Sequence, residues 1–121
     1  MTDDTFQLFD LKITVEEIRG TCTCGHAPGD FFELKGGQLS LPAGRSFCVY
    51  ALQSTLPLLP AKQRPLHQND WMQTDTRIIC PDPLCGVVMR VDRTTPHQVH
   101  HADVSAVPLA SPVPSSDADP P

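Results

Sequence analysis

The chain has 121 residues and a net charge of −5, nine basic side chains against fourteen acidic ones, which bounds it to one domain at most. No basic stripe with interleaved aromatics runs through it, which argues against nucleic-acid backbones, and equally against membrane surfaces, as partners. Its longest apolar stretches, such as residues 47–52, are far too short to cross a bilayer.

The opening Met1-Thr2-Asp3-Asp4 is acidic, and no apolar run follows it. It reads as a chain without a secretory leader, hence cytoplasmic, with its thiols kept reduced. Phe9, Leu11, Ile13 and Val15 then alternate with Asp10, Lys12, Thr14 and Glu16, the period of a half-buried strand. Gly20 ends that strand, and Cys22-Thr23-Cys24-Gly25-His26 follows in a loop. Residues 30–35 and 38–41 flank Gly36-Gly37, a hairpin signal. Residues 46–56 are apolar on most sides and predict a helix largely buried across the sheet, ended by Pro57 and Pro60. Residues 61–74 show no period and predict a long connection anchored by Trp71 and Met72.

Two further strands are expected at residues 77–80 and 87–92, with Val87, Met89 and Val91 facing one way. The turn between them is Cys80-Pro81-Asp82-Pro83-Leu84-Cys85-Gly86, whose prolines cannot continue a ladder. Beyond Arg93 the composition shifts to six prolines, three histidines and valines without period. That stretch predicts a disordered, acidic, Pro-rich tail over 94–121. The folded unit is then residues 1–93, an α+β domain with a small antiparallel sheet and one buried helix.

A unit of that size buries little apolar surface and gains from a metal, a disulfide or a partner chain. Its cysteines supply the first. Two short turns set soft donors a few residues apart beside a glycine, as a tetrahedral Cys/His metal site requires. Cys80 and Cys85 have four residues between them, within the usual spacing of about two to four for a zinc half-site. Cys22 and Cys24 form an i, i+2 pair, for which His26 offers a substitute donor. The expected ligands are two of Cys22, Cys24 and His26 together with Cys80 and Cys85, and the expected metal is zinc. Two other readings stand beside it: free cysteines packed as small hydrophobes, and a redox dithiol at Cys22–Cys24. Cys48, inside the apolar helix, reads as a packing residue or as an alternative ligand. The histidines His67, His97, His100 and His101 read as solvated imidazoles. No nucleophile elbow, phosphate-cradling glycine loop or His-Glu-x-x-His helix is present.

The order Leu11-Lys12-Ile13-Thr14-Val15, Cys22 to His26, Gly29-Asp30-Phe31, Phe47-Cys48, Asp70-Trp71-Met72, Ile79-Cys80 and Val87 to Arg93 resembles an uncharacterised family of small, single-domain bacterial and archaeal cysteine-containing proteins. The resemblance covers residues 9–93; Cys22, Cys48 and Cys80 match its recurrent cysteines, while Cys24 and Cys85 look like additions of a subgroup. It implies no activity. Locally, Cys22-Thr23-Cys24-Gly25-His26 and the later Cys-Pro…Cys-Gly turn also resemble the zinc-binding part of the acetone carboxylase gamma subunit, with the second turn two residues longer here. That likeness implies zinc and a small-subunit role. The expectation is therefore a cytoplasmic zinc-binding accessory or structural subunit with a protein partner. The alternative is a stand-alone thiol-redox or metal-dependent enzyme using Cys22, Cys48 and Cys80.

Overall fold

The alternation at the start of the chain becomes a long strand because it gives one wholly apolar edge to bury. In β1 (Thr5–Ile18), Leu11, Ile13 and Val15 are buried while Lys12, Thr14 and Glu16 between them stay half-exposed. The structure, a computed structural model, describes residues 3–109. Its sheet is antiparallel throughout, with β2 (Phe31–Lys35), β3 (Gln38–Ser40), β4 (Arg77–Ile79) and β5 (Val87–His100) in the order β3-β2-β1-β5-β4. The protein is thus α+β, as its patterning implies. Gly36 turns the β2–β3 hairpin with a φ of 57° and leaves Lys35 opposite Gln38.

Four short helices accompany the sheet among the described residues: α1 (Val49–Thr55), α2 (Leu59–Lys62), α3 (Trp71–Thr74) and α4 (His101–Val104). The core sits between one sheet face and α1 and α2, where Leu11, Ile13, Phe32, Val87 and Met89 meet Ala51 and Leu59. Phe47 closes it edge-on to Phe32, with ring centroids 5.0 Å apart. Each such side chain contributes about 1.5–3 kcal/mol by leaving water.

Three expectations need correcting. The helix begins at Val49 and is not buried on most sides. Ala51 and Thr55, four residues apart, are buried, whereas Val49 and Tyr50 are about 60% exposed (61% and 62%). Only one narrow helical stripe reaches the sheet. Trp71 does not anchor the long connection either, being 61% exposed. Lys62 and Arg93 do that work. The buried Lys62 ammonium donates to the carbonyls of Met72 (2.9 Å) and Asp75, and Arg93 donates to the carbonyls of Lys62 (2.8 Å) and Arg64 (3.3 Å) and to Gln73 Oε1 (3.1 Å).

The third correction concerns the boundary at Arg93. β5 runs on to His100, paired with β1 as far as Thr5, and α4 follows. Pro96 is tolerated because it lies opposite Phe9, whose N–H turns away from β5 to the Gln63 carbonyl at 2.7 Å. No ladder donor is required of Pro96 at that position. The ladder slips between Phe9 and Leu11, where Asp10 alone spans Thr94 and Thr95. The part of the expected tail from residue 110 onward lies outside the described residues. Among the described residues no helix is long and apolar enough to cross a membrane.

Candidate thiol site

The two cysteine turns are far apart in sequence and are joined by backbone. After β1, the N–H groups of Arg19, Gly20 and Thr21 donate to the carbonyls of Gly86 (2.8 Å), Cys85 (3.1 Å) and Leu84 (2.9 Å). This close approach needs glycine. A Cβ on Gly20 would lie 2.0 Å from the Leu84 carbonyl oxygen, and one on Gly86, at φ 68°, would lie 2.8 Å from the Gly20 nitrogen. The second turn is shaped by Asp82, which accepts from the N–H groups of Leu84 (3.0 Å, side chain) and Cys85 (3.1 Å, carbonyl). The β4–β5 hairpin closes beneath it through Cys80 N–H to the Val87 carbonyl at 2.9 Å.

The result is a gathering of all five cysteines, none of them in a disulfide. Cys80 and Cys85 are buried, Cys22 and Cys48 are half-buried, and Cys24 is exposed. The Cys85 thiol neighbours those of Cys80 and Cys22, and the Cys24 thiol neighbours that of Cys48. The site is thus a trio and a pair. Among the described residues, no group of three or more His, Cys, Asp or Glu side chains stands in the arrangement of a metal centre.

Burial pushes the Cys85 thiol up to about 11, with the neighbouring Cys80 and Cys22 thiols adding to it against a lowering contact from the Val87 N–H. The neighbouring Cys48 thiol does the same to Cys24, also up to about 11, reinforced by partial desolvation and by Cys22 and Cys80. Cys48 goes the other way. Burial raises it, but the Ala51 N–H, the Cys24 thiol and the Tyr50 N–H together outweigh that and hold it below an ordinary thiol. Cys48 precedes α1 in an extended conformation; its sulfur makes no full capping hydrogen bond, so these N–H groups act on it as dipoles.

His26, expected among the ligands, has another place. Its Nε2 accepts from the Cys48 N–H at 3.0 Å, so the ring proton is on Nδ1, 3.1 Å from Asp30 Oδ2. The ring is buried and lies 4.3 Å from that of Phe47. With both nitrogens engaged it offers no lone pair. It positions Cys48 instead. Asp30 in turn accepts from the Ala27 N–H at 3.0 Å, and that bond, then His26, holds its carboxyl below the usual range.

The spacing of Cys22, Cys24, Cys80 and Cys85 made those residues visible in the sequence, and the structure brings their turns together. Cys48 is visible there only as an alternative, and no metal-ligand spacing marks Gly20 or Asp30 as part of a site. The signal for Asp30 was its position four residues after His26, in a Gly29-Asp30 turn. Two clefts flank the pair. One, of about 370 Å³, is lined by Thr23, Tyr50, Pro81 and Asp82 with Cys80 and Cys85. The other, of about 410 Å³, is lined by His26, Asp30, Arg45 and Ser46. Cys24 and Cys48 line both. No protein-family model, curated protein or solved structure matches the chain.

Proposed function

We propose that the protein is a small cytoplasmic zinc-binding protein in which the thiolates of Cys22, Cys80 and Cys85, with one from the Cys24–Cys48 pair, hold the metal, and that it serves as a structural or accessory subunit of a larger assembly. The observation that carries this reading is the Gly20–Gly86 interlock, which commits three backbone hydrogen bonds to bringing Cys22 against Cys80 and Cys85. The donor set fits: sulfur-rich and four-coordinate suits zinc. Several thiols crowded without a cation repel one another as thiolates, and a divalent ion relieves that repulsion while displacing their protons. A site filled by four protein ligands leaves no open position, which makes it structural. Metal analysis after reducing, chelator-free purification tests it. About one equivalent of zinc is expected; a metal-free protein refutes the reading.

A second reading has its own observation. Cys48, whose thiol is held below the ordinary value by nearby N–H groups and Cys24, lies beside a cleft, which suits an enzyme using Cys22, Cys48 and Cys80 with a reactive sulfur or an open metal position. Thiol titration with and without chelator separates the two. Thiols protected until the metal is stripped support the structural site. One fast thiol in the metal-loaded protein supports the enzyme.

A further inference from the structure

Five cysteines share one region as a trio and a pair; one tetrahedral ion takes four sulfurs, so the surplus falls within the pair. Cys22, Cys80 and Cys85 are tied to the interlocked backbone, whereas Cys24 and Cys48 come from separate loops and neighbour each other along both clefts. Cys24 is exposed and faces solvent through both clefts. Cys48 is held from behind by His26 through its own N–H. A small oxidant therefore has two open approaches to a pair of neighbouring thiols.

Resting on the zinc reading above, we propose that Cys24 and Cys48 form a hydroperoxide-sensitive disulfide that opens the metal site. The logic does not depend on which of the two fills the fourth position. Closing the disulfide removes both candidates at once and leaves the ion on three sulfurs. In the reaction the Cys48 thiolate attacks the distal oxygen of a hydroperoxide. The O–O bond breaks, Cys48 becomes a sulfenic acid, and the other oxygen leaves as an alcohol, or as water from hydrogen peroxide, after taking up a proton. The Cys24 thiol then attacks the Cys48 sulfur; the S–S bond forms and the sulfenic oxygen leaves as water with the thiol proton. Two thiols are oxidised by two electrons and one hydroperoxide is reduced by two. A reducing dithiol reverses the step by thiol–disulfide exchange. Both thiols are reachable without disturbing β1 or β5, so the sheet stays folded while the ion leaves.

The test treats the full-length, zinc-loaded protein with one equivalent of hydrogen peroxide, follows zinc with a chromogenic chelator, and maps disulfides by peptide mass spectrometry. The expected result is a Cys24–Cys48 linkage formed in step with zinc release, both reversed by a dithiol. In Cys24→Ser, a change at an exposed position, the fourth sulfur comes from Cys48 and peroxide-driven release slows by roughly tenfold or more because the resolving thiol is gone. A linkage at another pair, zinc retained with the Cys24–Cys48 bond closed, or unchanged release in Cys24→Ser overturns the proposal and leaves the zinc reading standing. A protein that takes up no zinc overturns the zinc reading and this proposal together.

Discussion

His26 shows how little a single residue's neighbours in sequence say about its task. It follows Cys24-Gly25 as a ligand would, yet its ring lies between Asp30 and the Cys48 N–H. His26→Ala leaves that N–H and the Asp30 carboxylate without partners beside a small void, a cost of about 2–4 kcal/mol. The expected outcome is a lower urea midpoint with an unchanged all-sulfur cobalt(II) absorption spectrum; a nitrogen donor present in the parent spectrum and lost on substitution marks His26 as a ligand after all. Gly20 is the opposite case, a residue whose importance lies in having no side chain. Gly20→Ala drives a methyl into the Leu84 carbonyl, and roughly 3 kcal/mol of destabilisation with weakened metal retention is expected. Parallel urea melts and metal analyses check it. The cysteines of the two turns were legible because local spacing encodes a turn. The facing of His26 and the role of Cys48 were not, because they depend on contacts made between chain segments about twenty residues apart.

Among the elements, β1 and the Gly36-Gly37 hairpin were legible, since period and turn chemistry are local signals. The extension of β5 past Arg93 was hidden by Pro96, which composition alone reads as a strand breaker. Only the pairing direction at Phe9 makes it harmless. The short helices α2 and α3 were equally hidden, because a buried lysine and an arginine, rather than an apolar period, fix them. Lys62→Met should therefore cost about 1–3 kcal/mol, as the Met72 and Asp75 carbonyls lose their donor. Hydrogen exchange should show the loss concentrated at Asp70 to Asp75. At the far end of the ribbon, His100 Nδ1 lies 2.7 Å from Asp4 Oδ1. The Asp4 hydrogen bond raises the His100 pKa above 6.5, and His100 lowers the Asp4 pKa below 3.8. The pair's contribution from His100 is complete below pH 6.5 and fades as pH rises through the raised value. That from Asp4 is complete above pH 3.8 and fades as pH falls through the lowered one. Exchange at His101 N–H, which donates to the Asp4 carbonyl, should be slowest relative to its intrinsic rate between those limits. A flat protection profile across that range contradicts the pairing.

For the molecule as a whole, a single sheet covered on one face by short helices leaves a thin margin of stability. A ligand that binds the folded state alone adds to that margin by mass action, about 2.7 kcal/mol at a hundredfold excess over its dissociation constant. The melting temperature in calorimetry should accordingly rise with free zinc and fall on chelation, and a melting temperature indifferent to both contradicts metal-coupled folding. The charged outer face carries the Arg77–Glu16–Arg90 network, with contacts of 2.6 and 3.3 Å. Those exposed pairs contribute little, so salt should matter less than zinc.

Thr5 pairs with His100 at one end of the β1–β5 ribbon, while Ile18 and Val87 lead into the thiols at the other. Thirteen steps along a strand span on the order of 40 Å. A dye or a surface tether attached near Asp3 or Ser105 would thus stand a whole ribbon away from the sulfurs. Two labels placed there would sit side by side, reporting separation of the central strands while staying blind to chemistry at the cysteines. The molecule carries its own spatially insulated handle, which suits single-molecule work in which one event must be watched without touching the other.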